Sequence, residues 1–182
     1  MDAAVAGISI SKAALQSQLS KCARFQTFIG GNEAAALLKI KLDGWPFPLD
    51  ENGNIKEAYT AQELADIRPF AMIFSDSRRG YSLNAAGAPI ACVEAGTLQI
   101  HFEKDVSSTL LKDPESVNRQ WDNDLGQIAR ELMDLKQTDG MLQIDQSVTV
   151  QGPFFSTESE QPGQGNFAYA LMTVTWGQGG SN

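Results

Sequence analysis

Apolar residues near the start of the chain recur at steps of four and three: Leu15, Leu19, Cys22 and Phe25 share one helical face behind Ser11, which can act as an N-cap. Gly30-Gly31 interrupts that face, and Asn32 can cap a second, short helix through Glu33 to Leu38. These two segments predict a helical layer over residues 9–40. From Asp43 the periodicity disappears into Trp45-Pro46-Phe47-Pro48 and Asn52-Gly53-Asn54, which is turn chemistry. An irregular connection over 43–68 is expected there, with room for a single helical turn.

Strand patterns follow. Pro69 to Phe74 is apolar on both faces, as in a well-covered strand, whereas Leu98, Ile100 and Phe102 alternate with polar residues and give one dry face. Arg79 to Ser82 and Asn84 to Ala88 are hairpin material between them. Asp113-Pro114 then opens the clearest helix, with Val117, Trp121, Leu125, Ile128, Leu132 and Leu135 on one stripe and Asp139-Gly140 as its stop, so it should run to about Gln137. Leu142 to Asp145 leads into Val148 to Val150, a Gly152-Pro153 turn, and an acidic loop holding Glu158 and Glu160. Phe167 to Trp176, rich in β-branched and aromatic residues, is the last strand, ahead of a frayed tail at 178–182. The order ααββαββ predicts one α+β domain over 1–182, an antiparallel or mixed four-stranded sheet packed on one face by helices, with sheet and central helix over 69–177.

A chain of 182 residues, 42% of them hydrophobic, can bury one core without metal or disulfide support. Its 22 acids against 14 bases leave a formal net charge of -8, which repels phosphate backbones. Arg78-Arg79 is the only adjacent basic pair, so sequence-specific nucleic-acid recognition is not expected. The two cysteines, Cys22 and Cys92, are distant and sit in apolar surroundings, as free thiols do in a reducing compartment. The N-terminal segment opens on an acid in place of a basic n-region, and no stretch reaches the roughly 18 apolar residues that span a bilayer, so a cytoplasmic product with no membrane partner is expected.

The inventory for chemistry is sparse. His101 is the only histidine, on the polar face of a strand with no nucleophile nearby in sequence, and an exposed or interfacial strand position is the better assignment. Two cysteines and one histidine cannot supply four zinc ligands, and Asp50 to Asn54 lacks the spacing of a calcium loop. Gly30-Gly31 has neither the lysine nor the preceding strand of a phosphate loop. Asp122 with Asp124, and Glu158 with Glu160, are carboxylate pairs on a predicted helix face and a polar loop, where solvated surface is the default assignment. The expectation is a protein that is not an enzyme and uses no cofactor and no metal. A carboxylate-based hydrolase and a monomeric domain that binds a peptide at a sheet edge are the alternatives.

The second half, roughly residues 90 to 177, resembles the tail terminator (tail completion) proteins of tailed bacteriophages. The resemblance rests on layout: the strand Gln99 to Glu103, the linker ending in Asp113-Pro114, the helix Asn123 to Leu132, the short strand Gly140 to Ile144, a Gly-Pro turn with acidic Glu158, and the closing strand to Val174-Thr175-Trp176-Gly177. It implies a structural virion protein, assembled in the host cytoplasm and located at the tail or neck. Such a protein forms a homo-oligomeric ring, a hexamer in expectation, between the tail tube protein and the head–tail connector protein; a neighbouring neck protein is the near alternative. DNA would pass through the ring, and acidity in a lumen would let it slide. A ring needs apolar or aromatic surface for its joints. Trp45, Phe47, Phe154 and Phe155, with Arg78 and Arg79, are the candidate interface residues, and ordinary core or loop packing is the competing assignment for the aromatic ones.

Overall fold

The computed structural model describes residues 3–44, 46–83, 92–134, 143–160 and 162–179. Helix α1 spans Ala3–Lys21, so Ser11 lies inside it and is not its cap; the alanine-rich start propagates the helix upstream of the periodic positions. Cys22 takes an extended backbone and separates α1 from α2 (Ala23–Ile29), yet Leu15, Leu19, Cys22 and Phe25 are all buried, as their spacing predicts. Gly30, at φ 71, ends α2 in the left-handed conformation that glycine adopts without cost. In α3 (Glu33–Lys39) the Asn32 side chain accepts the Ala35 N–H at 3.0 Å.

Helix α3 continues without a loop into β1 (Ile40–Leu42), which pairs in parallel with the start of β2 (Phe70–Leu83). The sheet is therefore five-stranded, not four-stranded. Three residues directly after a helix show no alternation, and the partner strand lies some thirty positions on, so no local pattern marks β1. Beyond it β2 pairs antiparallel with β3 (Cys92–Asp105), β3 with β5 (Phe167–Gly179), and β5 with β4 (Gln143–Ser156), in the order β1-β2-β3-β5-β4. The last strand carries past Trp176 to Gly179, so positions 178 and 179 are paired and not frayed.

Between β3 and β4 lies α5 (Pro114–Asp134), whose first turn is closed by the Asp113 carboxylate accepting from the Ser116 N–H at 3.1 Å. The expected continuation to Gln137, the Gly140 to Leu142 segment and the Asn84 to Ala88 hairpin material lie outside the described residues. Gly152-Pro153 does not turn the chain. It sits inside β4 at a register shift, with Gly152 at φ 108 and its Cα so close to β5 that a Cβ would lie 3.0 Å from the Tyr169 carbonyl oxygen.

Alternation sorts the sheet into two faces. Ala71, Ile73, Leu98, Ile100, Phe102, Ala168, Ala170, Met172 and Val174 point to one side, where α1, α2, α3 and α5 cover them with Leu15, Leu19, Phe25, Phe28, Trp121, Leu125, Ile128 and Leu132. Arg24 ties two of these helices together: its guanidinium binds Asp124 and its backbone N–H reaches the Glu131 carboxylate.

The other face is not bare, contrary to a one-sided helical packing. Because β1 and β2 are parallel, the chain between them must cross from one end of the sheet to the other, and it does so over the second face. The crossing segment is ordered by more than one turn: α4 (Ala61–Ile67) carries a reciprocal capping box between Thr60 and Glu63, and Leu49 bridges Ile55 ahead of it. Phe47, Tyr59 and Leu64 bury themselves on Phe70, with Ile67 and Met72 alongside, as a second, smaller core.

Candidate subunit interface

Of the interface residues expected from sequence, Phe47 is corrected outright: it is 4% exposed, with its ring 5.1 Å from Tyr59 and 5.8 Å from Phe70. The crossover places it on the dry face of the connection, so its apolar area serves the monomer. Trp45 lies outside the described residues. Arg78 and Arg79 fall in β2, where register with β3 is regained at Arg79 opposite Gly96, and their side chains are outside the described part of the structure. The neighbours Phe154 and Phe155 point to opposite faces. Phe155 packs half-buried against the helical core, while Phe154 is 43% exposed on the second face, its ring 5.3 Å from Tyr169.

Phe154 begins a row of rings crossing the second face. Tyr169 stacks on His101 at 5.6 Å, and His101 lies 6.0 Å from Phe70. His101, expected at an exposed or interfacial strand position, is partly covered here, and its Nε2 is 3.0 Å from a Glu103 oxygen. Glu103 in turn accepts from Arg68 Nε at 2.6 Å, and Arg68 also reaches Asp105 at 3.0 Å and the Gln164 carbonyl at 2.6 Å. The Arg68 guanidinium is sandwiched by Phe167 at 4.1 Å and Phe47 at 5.2 Å. Every one of its partners comes from a different stretch of chain than α4, so this buried cation locks the crossover onto β3 and onto the 157–166 loop. That loop is held in kind, with Glu158 accepting from the Gly163 and Gly165 N–H groups and the Gly163 carbonyl accepting from Tyr59. The arrangement is structural: its charges are satisfied by one another.

Exposed apolar side chains stand on the crossover, at Leu49 and Ile55, at Leu110 ahead of α5, and at the margins of the sheet. Reading across at one height on the helical face, Leu42, Ile73, Ile100, Met172 and Val150 form a single cross-strand row. The three inner members are fully buried, whereas Leu42 is 36% and Val150 38% exposed. Beside Leu42, α3 adds Leu37 and Leu38, the latter 74% exposed; Met133, also exposed, lies on α5, the helix that packs on β4. Sequence reasoning missed Leu37 and Leu38 as exposed positions.

A cleft of about 740 Å³ lies along the crossover between Leu49 and Ala58. Its Asp50 carboxylate is held below the usual range by accepting N–H groups from Asn54 and Asn52, which closes the local turn. Among the described residues no group of three or more His, Cys, Asp or Glu side chains could hold a metal ion, and no helix is long and apolar enough to cross a membrane. Fold defines the class, an α+β protein with a mixed five-stranded sheet. No protein-family model matches the chain, and no curated protein matches it.

Proposed function

We propose that the protein is a structural subunit that joins copies of itself into a closed ring at the head-proximal end of a phage tail, ends growth of the tail tube and offers the head-joining surface. One observation carries the self-assembly: exposed apolar side chains stand at both margins of the same sheet, Leu42 on β1 and Val150 on β4, with Leu37 and Leu38 exposed on the helix that runs into β1. Patches that differ from each other and sit on opposite sides of a subunit support head-to-tail contacts, which close into rings when the rotation between copies permits. A single self-complementary patch would favour a two-fold dimer. The tail-end location rests on the resemblance of residues 90 to 177, and a neck-protein ring would use the same contacts. The net charge of -8 suits a ring through which DNA slides.

The test is absolute mass by light scattering across concentration, followed by images, with and without purified tail tube protein. The expected result is a discrete species of roughly six times the 19.7 kDa subunit, and shorter tubes closed at one end when tube protein polymerises in its presence. A 19.7 kDa monomer under all of these conditions, with tube length unchanged, would overturn the proposal.

A further inference from the structure

We infer that the crossover, residues 46–68, is a latched strap: it lifts off the second face of the sheet as one unit while the sheet and the helical core stay folded. Its ends do not depend on its seat. Before it, Ile40 to Leu42 pair with β2, the Asp43 N–H donates to Ile73 and the Asp43 carboxylate binds Lys12; after it, Phe70 opens β2 opposite Glu103 of β3. Lifting therefore breaks no strand pairing. Much of the strap's own bonding travels with it. The Thr60–Glu63 capping box, the Lys56–Glu63 ion pair at 2.6 Å, the turn closed by Asp50 and the Leu49–Ile55 bridge all begin and end within residues 49–63.

The seat is small for the length of chain it orders. Between 46 and 68 only Phe47, Tyr59, Leu64 and Arg68 are buried, and α4 makes no broad contact with any other helix or strand. The cluster these rings form on Phe70 shares no residue with the core under the helices, so it can be lost by itself. The entropy of every ordered backbone position opposes docking, and few buried side chains stand against it, which is the condition for local opening. Beyond itself the strap is tied by Arg68 to Glu103, Asp105 and the Gln164 carbonyl, by the Tyr59 N–H to the Gly163 carbonyl, and by Lys39 Nζ to the Asp66 and Ile67 carbonyls. Arg68 is the latch, because its bonds alone reach both β3 and the 157–166 loop. Releasing it strands no charge: Arg68 and Glu103 both meet water as the strap leaves, and Glu103 keeps His101 Nε2 beside it. The lifted form opens Phe70, 2% exposed when covered, into one row with His101, Tyr169 and Phe154. The strap thus keeps one end of that aromatic row closed.

The test is native-state amide hydrogen exchange on the full chain, and then on Leu64→Ala, which trims a side chain of the strap's cluster and none of the helical core. The amides of residues 59, 64 and 68 are bonded to the carbonyls of Gly163, Thr60 and Leu64, so each reports opening. In the parent protein all three should exchange roughly a hundredfold or more faster than the amides of Ile100 and Met172 in the central strands, after correction for intrinsic rates. Leu64→Ala should speed the three by one common factor, about tenfold or more, and leave Ile100 and Met172 unchanged. Strap and sheet amides exchanging at one rate would overturn the inference, since opening would then be global. Acceleration at 64 and 68 with 59 unchanged would overturn it as well, because α4 would be fraying alone. The parent comparison uses no variant and decides the matter even where Leu64→Ala folds poorly.

Discussion

Arg68 has nowhere else to put its charge. Its side chain is 1% exposed, and Glu103 beside it is nearly as buried, so the pair survives only because each group holds the other. Removing one partner strands the second in a dry site. Arg68→Ala should therefore lower unfolding stability by about 3–5 kcal/mol in denaturant titration, whereas a double replacement of Arg68 and Glu103 by apolar residues of similar volume should recover much of that loss. Cys22 obeys the opposite logic, because burial, helped by the nearby Glu131 carboxylate, pushes its thiol from 9.0 up to about 12. Folding favours the neutral thiol, so this contribution is complete below about pH 9 and is lost as pH climbs toward 12 and the unfolded chain ionises. Cys22→Ala should flatten that part of the alkaline stability profile, read as melting temperature against pH. None of these roles was visible beforehand: Arg68 sits in a stretch without periodicity, and only the folded crossover shows what it meets.

At the scale of elements, the helices were legible wherever a cap or stripe announced them. Asn32 and Asp113 both cap as expected, and the α5 stripe from Val117 to Leu132 is buried throughout. Elements whose partners are distant were not. Strand β1 is too short to show alternation, and the connection expected to have room for a single helical turn holds the seven-residue α4, whose Thr60-to-Glu63 capping-box spacing went unused. The interface expectation failed at Phe47 for the same reason, since an aromatic residue between prolines does not reveal which face of a sheet it will meet. The second core then makes a prediction of its own. Phe47→Ala should cost about 3–5 kcal/mol and speed proteolytic cleavage between residues 48 and 58, with assembly altered only as far as folding is.

For the whole molecule, electrostatics and apolar contact oppose each other. Copies that each carry a formal charge of -8 repel, and the margins proposed to join them are largely aliphatic, so salt should screen the repulsion and leave the attraction in place. Average mass at fixed concentration should rise between about 20 and 300 mM sodium chloride; a fall would point to ion pairs as the dominant joint. The lock on the crossover bears on a different matter, the order in which the chain can be completed. Phe47, Tyr59 and Arg68 belong to the first half, yet the ring beneath the Arg68 guanidinium is Phe167 and the carbonyls that hold Arg68 and Tyr59 come from Gln164 and Gly163. During synthesis Phe70 is in place almost as soon as the crossover is made, but Arg68 waits nearly a hundred further residues for Gln164 and Phe167, and a chain that stops short of them leaves that cation without its lock.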